Sequence, residues 1–353
     1  MLTALELAWR GWGRVQPNPM VGAVVLRDGE MIAQGYHVEF GRPHAEAVAL
    51  EQAGEQARGG TLVVTLEPCR HQGNQPPCTE AIRRAGVRRV VFGSKDPNPE
   101  AAGGADELAA AGIEVEHLPF AGEVRRQNAV FFHAFTPSLG ARRPFVALKL
   151  ATSVDGAIAD RFGRSRWISG PDALAFVHWL RAGFDAIAVG GRTARADDPA
   201  LTVRGPVTPR VFPARVVFSN SGNLDGAKHL LATAREVPVV VAGAQVSTER
   251  REALREAGID LLDAGTSAET LRGLGTRGIR SVLVEGGGRL AGALLAEGLV
   301  DRFYWIQSPV WLGEGAIPAF EGLAGVDLPD AARWHVTERR ALGDDTLLVL
   351  EPE

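Results

Sequence analysis

Only two cysteines occur among the 353 residues of this chain, and both stand in motifs that read as metal-binding. Cys69 ends Glu67-Pro68-Cys69, Cys78 ends Pro76-Pro77-Cys78, and His44-Ala45-Glu46 precedes them. One imidazole and two thiolates suit zinc, and three protein ligands leave its fourth position open. A fold that satisfies such a site must bring residues 44, 69 and 78 to one point, which restricts the N-terminal part of the chain before any propensity is considered. Water at the open position of zinc has its pKa lowered toward neutrality. Glu46 lies near the start of a helix expected from His44 to about Ala57, and it reads as a carboxylate that carries protons without ligating the metal.

A purely structural zinc site is closed by a fourth Cys or His, and His71 is the residue that could close it. Against that reading, H-x-E followed by P-C is the residue order of the zinc deaminases. The chain departs from their usual spacing, with eight residues between its cysteines instead of two.

At roughly 100–200 residues per domain, a chain of this length predicts two domains. A content of 45 % hydrophobic and 23 % charged residues excludes a disordered chain. No apolar run approaches the ~18 residues that span a bilayer, and Met1-Leu2-Thr3-Ala4-Leu5-Glu6 has no basic leader. A cytoplasmic protein without a membrane partner is expected, and thiols in a metal-like setting agree with a reducing compartment. The net charge of −4 disfavours a nucleic-acid-coating role, so any phosphorylated substrate must be met by local basic residues.

Helix and strand signals alternate along the first part of the chain. Strands are expected at Val21 to Leu26, Met31 to Tyr36, Thr61 to Leu66, Val87 to Phe92 and Ile113 to His117, with Asp28-Gly29 as the first turn. Helices are expected after His44, after Cys78 and near Asp106 to Ala111, giving a sheet with helices on its faces. His44, Glu46 and Cys78 then fall at helix N-termini, where the macrodipole favours thiolate and carboxylate. Periodicity lapses from Phe135 to Pro144 into turn formers and charge, as in a linker. Domains of residues 1–143 and 144–353 follow. The second series predicts strands at Phe145 to Leu150, Ala186 to Val189, Arg215 to Phe218, Val237 to Val241, Ser281 to Val284 and Arg302 to Ile306, with Thr346 to Leu350 closing a sheet edge.

Strand 281–284 runs into Glu285-Gly286-Gly287-Gly288-Arg289 and a helix-like Leu290 to Ala296, an arrangement that lets backbone N–H groups approach a phosphate. A plain strand-to-helix turn has the same composition. It is not a dinucleotide fingerprint of the Rossmann kind, since no acidic residue follows about twenty residues later. Asp155-Gly156 and Asp198-Pro199 fit ordinary turn chemistry when taken alone.

Together the motifs closely resemble the bifunctional deaminase/reductase family of riboflavin biosynthesis. The resemblance runs through Gln16-Pro17-Asn18-Pro19-Met20-Val21-Gly22, Gly35-Tyr36-His37, Pro43-His44-Ala45-Glu46, Thr65-Leu66-Glu67-Pro68-Cys69, Pro76-Pro77-Cys78 and Asp96-Pro97-Asn98-Pro99. In the second half it continues through Leu148-Lys149, Asp155-Gly156, Ser165-Arg166-Trp167-Ile168, residues 197–204 and Glu285-Gly286-Gly287. It implies an α/β protein with a cytidine-deaminase-like N-terminal domain and a dihydrofolate-reductase-like C-terminal domain. It further implies removal of the 2-amino group of 2,5-diamino-6-(5-phosphoribosylamino)pyrimidin-4(3H)-one, then NADPH-dependent reduction of the ribosyl chain of the resulting aminouracil. By the same resemblance His44, Cys69 and Cys78 bind Zn²⁺ and Glu46 is the proton shuttle. Ala151, Trp167, Thr193, Asp197, Asn220, Gly287, Gly288, Arg289, Leu290, Ala291, Gly292 and Ala293 look like cofactor contacts. Ser165, Arg181, Leu201, Arg204 and Glu285 look like contacts to the phosphoribosyl-pyrimidine substrate, with Arg181 and Arg204 suited to its phosphate. Lys149, on a strand that should be buried, reads as a catalytic or cofactor-orienting residue.

Three departures from the family pattern stand out. Arg70-His71-Gln72 replaces the usual Ser-His-His and puts a permanent charge beside the ligands; Ser219-Asn220 replaces Asp-Ser and leaves the choice between NADPH and NADH open; residues 205–213 read as a stiff loop. A nucleoside or tRNA deaminase would want a basic, aromatic-lined face, which the acidic balance opposes. A second domain that only binds a nucleotide is the remaining alternative. A homo-oligomer is expected on general grounds.

Overall fold

Asp28 and Gly29, both at positive φ, form a two-residue turn that sends β1 (Gly22–Arg27) back into β2 (Glu30–Tyr36). The computed structural model describes residues 1–136, 143–166 and 168–353; most of the expected linker, residues 137–142, and Trp167 lie outside the described residues. Two units are present, Met1–Ala141 and Arg142–Glu353.

In the first unit β1 and β2 join β3 (Thr61–Leu66), β4 (Arg89–Ser94) and β5 (Glu114–His117) in a five-stranded sheet of order β2-β1-β3-β4-β5. β1 is antiparallel to its neighbours, whereas β3, β4 and β5 run parallel. The period-two alternation of the strands sorts the core. Ala23, Val25, Leu62, Val64, Val90 and Phe92 face α2 (Ala45–Ala53), α3 (Cys78–Ala85) and α4 (Gly104–Ala110), which contribute Ala49, Ile82 and Leu108. Val24, Val63 and Val91 point the other way and pack with Leu7. Small residues Ala45, Ala49 and Ala53 all lie in that first cluster, so α2 approaches the sheet closely. The helix is shorter than expected: it stops at Ala53, and a 3₁₀ turn continues to Ala57.

The second unit is built on a nine-stranded sheet of order β11-β10-β9-β8-β12-β6-β13-β16-β15. Its strands are β6 (Phe145–Thr152), β8 (Ala186–Gly190), β9 (Ala214–Phe218), β10 (Val239–Ala242), β11 (Asp260–Leu262), β12 (Ser281–Glu285), β13 (Arg302–Gln307), β15 (Trp334–Leu342) and β16 (Asp345–Pro352). The strands from β11 through β13 are parallel, and β16 and β15 add an antiparallel hairpin. Val146, Leu148, Val282 and Val284 pack with Leu274 and Leu294, while Ile187, Val189, Val217 and Val241 pack on the opposite face with Leu230 and Leu254. Helices therefore cover both faces, as a parallel sheet requires. The expectation that residues 346–350 form a sheet edge is corrected: β16 is interior, between β13 and β15. β15 takes the edge, and its Thr-Glu-Arg-Arg run supplies the exposed charges that keep an edge from pairing further.

Candidate active sites

In the first unit three elements end at one point. His44 caps α2 in an extended conformation, Cys69 follows β3, and Cys78 is the first residue of α3. The His44 Nδ1 lies 3.3 Å from the Cys78 Sγ and 3.6 Å from the Cys69 Sγ, and the three donor atoms lie within 4.8 Å of one another. Zn–S bonds of about 2.3 Å and Zn–N bonds of about 2.0–2.1 Å give tetrahedral N–S edges of about 3.5–3.6 Å, close to the two separations from His44. Electrostatics agrees. The side-chain hydrogen bond with Cys78 pulls the Cys69 thiol down to about 4, while the same contact, followed by burial, pushes Cys78 well up. A cation between them would let both ionise. Glu46, 4 % exposed in the first turn of α2, is not one of the three ligands, and burial raises its carboxyl to about 6. That is the range of a group that takes up and releases protons near neutrality.

The Glu67 carboxylate is a strut in this site. One oxygen accepts from the N–H groups of Gly103 and Ala105, both at 3.1 Å, and the other from Asp96 N–H at 3.2 Å. It thereby fixes the start of α4 and the Asp96 loop against the Cys69 segment. Gly104 completes the joint, since a Cβ there would lie 1.8 Å from the Pro68 carbonyl oxygen. We expect Gly104→Ala to displace Pro68-Cys69 and to yield purified protein with much less than one zinc per chain by elemental analysis; full zinc content would show that the joint tolerates the methyl group.

His44, Glu46, Glu67 and Cys69 line a cavity of about 330 Å³ with Asn18, His37, Asp96 and Asn98. His37 Nδ1 faces the Pro43 carbonyl at 3.1 Å and must carry the proton, so its Nε2 accepts from the Asn18 amide at 3.2 Å. Burial lowers the His37 pKa to about 4 and keeps the ring neutral. The Asn18 carbonyl oxygen is thereby left for a ligand. The motifs carrying Asn18, His37 and Asp96 are visible in the sequence, but nothing there couples His37 to Asn18. Arg70 is exposed and does not line the cavity; its guanidinium packs over Gly103.

The second unit holds a cleft of about 1090 Å³ across the carboxyl ends of its parallel strands, where Lys149, Gly190, Phe218, Ala242 and Glu285 all line the wall. Open α/β sheets bind ligands at such ends. β12 is followed by Gly286 and Gly287, at φ 78 and 85, which turn directly into α12 (Gly288–Ala296). Behind them Arg181, the last residue of α7 (Pro171–Arg181), grips Glu285 with both arms of its fork, at 2.6 and 2.7 Å, and donates to the Thr202 carbonyl at 2.9 Å. Lys149 is paired in register with Glu285 on the next strand. Burial lowers the Lys149 pKa, which Glu285 partly restores; burial would raise the Glu285 carboxyl, but Arg181 and Lys149 hold it below the ordinary range.

Ala151, Thr193, Asp197, Asn220, Gly287, Gly288, Arg289, Leu290, Ser165, Arg181, Leu201 and Glu285 all line this cleft. Ala291, Gly292, Ala293 and Arg204 do not. Ala291 and Gly292 are turned into the core, Ala293 is half-buried, and Arg204 is exposed, with its backbone N–H on His178 Nδ1 at 3.2 Å. Arg181 is taken up by Glu285, so it does not present the open fork expected for a phosphate. Asp198 and Leu201 hold φ of 42 and 49 in the strained loop that shapes one wall, and Asp198 itself binds His229. Asp155 is structural, accepting from the Gly313 N–H at 2.7 Å. Thr266 and Ser267, on the cleft wall, drew no attention in the sequence, although Thr266-Ser267-Ala268-Glu269 is a readable capping box. The polar donors and the glycine turn suit a nucleotide.

The pattern described as "RibD C-terminal domain" matches residues 144–348, and that of the "Cytidine and deoxycytidylate deaminase zinc-binding region" matches residues 1–94. The riboflavin biosynthesis protein RibD of Aquifex aeolicus (strain VF5) is 38 % identical, over 99 % of this chain and 96 % of its own. The chain belongs to the RibD family. Among solved structures, Acinetobacter baumannii RibD, form 1, superposes with a TM-score of 0.84 at 36 % identity, covering 100 % of this chain and 97 % of that one. A Thermotoga maritima diaminohydroxyphosphoribosylaminopyrimidine deaminase/5-amino-6-(5-phosphoribosylamino)uracil reductase does so with 0.83 at 36 % identity, with the same coverage. As a member of the RibD family the chain is a bifunctional deaminase and reductase of riboflavin biosynthesis, with a cytidine-deaminase-like, zinc-binding N-terminal domain and a reductase C-terminal domain. No helix among the described residues is long and apolar enough to cross a membrane.

Proposed function

We propose that residues 1–143 deaminate 2,5-diamino-6-(5-phosphoribosylamino)pyrimidin-4(3H)-one and that residues 144–353 reduce the ribosyl chain of the resulting aminouracil with NADPH. The observation that carries this reading is the meeting of His44, Cys69 and Cys78 beside a buried carboxylate that is free of them. The division is supported by the two units and by the two matched spans.

His44, Cys69 and Cys78 would hold zinc, which supplies the Lewis acid that makes water nucleophilic near neutral pH. Glu46 takes a proton from the attacking water and returns it to the leaving amine. The Asn18 oxygen accepts a hydrogen bond from the pyrimidine ring, and the neutral His37 keeps it turned that way. In the cleft Thr193, Asn220 and the Gly287–Leu290 turn would hold NADPH, which would supply the hydride. Lys149, kept charged by the neighbouring Glu285 carboxylate, holds the proton that accompanies hydride delivery, and Arg181 fixes Glu285 beside it. The buried free thiols support a reducing, cytoplasmic setting, and a homo-oligomer remains part of the proposal on general grounds.

The coupled assay is direct. Purified enzyme given the diaminopyrimidine ribotide and NADPH should release one ammonia for each nicotinamide oxidised. A zinc chelator should stop ammonia release while reduction of separately supplied aminouracil ribotide continues. Nicotinamide oxidation without ammonia, or ammonia release that survives metal removal, would refute the assignment.

A further inference from the structure

We propose that Arg42 binds the 5′-phosphate of the deaminase substrate, a role that rests on the reading of this site as acting on a phosphoribosyl pyrimidine. The cavity is electrically lopsided. Glu46, Glu67 and Asp96 stand on its wall, and Glu46 and Glu67 are almost fully buried. A phosphate dianion lodged among those carboxylates would meet like charge in a region of weak screening. Only the neutral pyrimidine ring can go inward, and the phosphate is left for the outer part.

There the cavity has one permanent cation. Arg42, in the loop between β2 and α2, is the only lysine or arginine lining it among the described residues. Arg42 is exposed, and it is in no ion pair or side-chain hydrogen bond among the described residues, so its fork is available. The other arginine beside the ligands, Arg70, packs over Gly103 and lies off the wall. Arg42 is also held in place relative to the opposite rim. The Gln75 amide donates to the Gly41 carbonyl at 2.8 Å, tying the Arg42 loop to the segment that carries Asn74, which also lines the cavity. A planar guanidinium on the rim of the cavity matches phosphate geometry. His44, two residues on, caps the helix that carries Glu46, so one short stretch of chain holds both a phosphate anchor and the proton carrier.

The test compares two substrates on the full-length, zinc-loaded enzyme: the ribotide and its phosphatase-treated ribonucleoside. For Arg42→Ala, the KM for the ribotide should rise about tenfold or more, with kcat within about twofold, zinc content unchanged and reduction in the second unit unaffected. On the ribonucleoside, wild type and variant should be alike. Inorganic phosphate should compete with the ribotide in the wild type and do so more weakly, by a similar factor, in the variant. Arg42→Lys should recover part of the loss. An unchanged ribotide KM in Arg42→Ala, or an equal loss on both substrates, would overturn the proposal while leaving the deaminase reading intact. Failure of the wild type to deaminate the ribotide would remove that reading itself and the proposal with it.

Discussion

Glu46→Gln is expected to purify with its zinc in place and to release ammonia from the diaminopyrimidine ribotide about 10²–10⁴ times more slowly than the wild type. Zinc stays because Glu46 is not among the three grouped donors, and the fold stays because the amide has the carboxylate's shape. What disappears is the capacity to accept and return a proton in a cavity where burial has set that carboxyl to about 6. The reductase half should turn over at its usual rate. Elemental analysis and an ammonia assay on one preparation decide the matter: loss of zinc would make Glu46 a ligand, and retained turnover would end its role as proton carrier.

The second large effect is expected at Arg181. Its fork is closed on Glu285, and both side chains are only 12 % exposed. Removing one member of a buried pair leaves the other uncompensated and costs about 3–5 kcal/mol. Lys149 remains beside Glu285, so Arg181→Met should fall near the lower end, about 3 kcal/mol, read as a shift of the second unit's urea midpoint. Reduction should drop at least about a hundredfold, because Glu285 loses its fixed direction beside the cleft. The pair also has a pH signature. Glu285 is held below its ordinary value of 4.5, so its contribution is complete above that pH and is lost as pH falls through the lower folded value. An Arg181→Met midpoint equal to that of the wild type at neutral pH would contradict the pairing.

The metal site was legible because its chemistry is written in short words: His44-Ala45-Glu46 and Glu67-Pro68-Cys69 declare both donor types and the free acid. Most strands were legible for a related reason, since the runs in β3, β9 and β12 are apolar and β-branched. What escaped depends on long-range meetings. Arg181 and Glu285 each looked like a substrate contact, and nothing in either neighbourhood says that α7 delivers the arginine onto the end of β12. The strut made by Glu67 was hidden because its partners are backbone N–H groups of Gly103 and Ala105, which carry no side-chain signal. β15 was missed because an edge strand with Glu338, Arg339 and Arg340 exposed has no apolar alternation to detect. The family resemblance extends the cofactor contacts through Ala291 to Ala293, whereas helical periodicity turns Ala291 and Gly292 inward once α12 begins.

The central place of β6 has a consequence for how the protein is made. β6 leaves the ribosome before every other strand of its sheet, yet its neighbours β12 and β13 are encoded at residues 281–285 and 302–307. Until those residues emerge, a nascent chain carries a strand of Phe145-Val146-Ala147-Leu148 character with both edges unsatisfied. Such separation makes assembly slow and leaves the half-made domain dependent on shielding from its neighbours in the crowded cell.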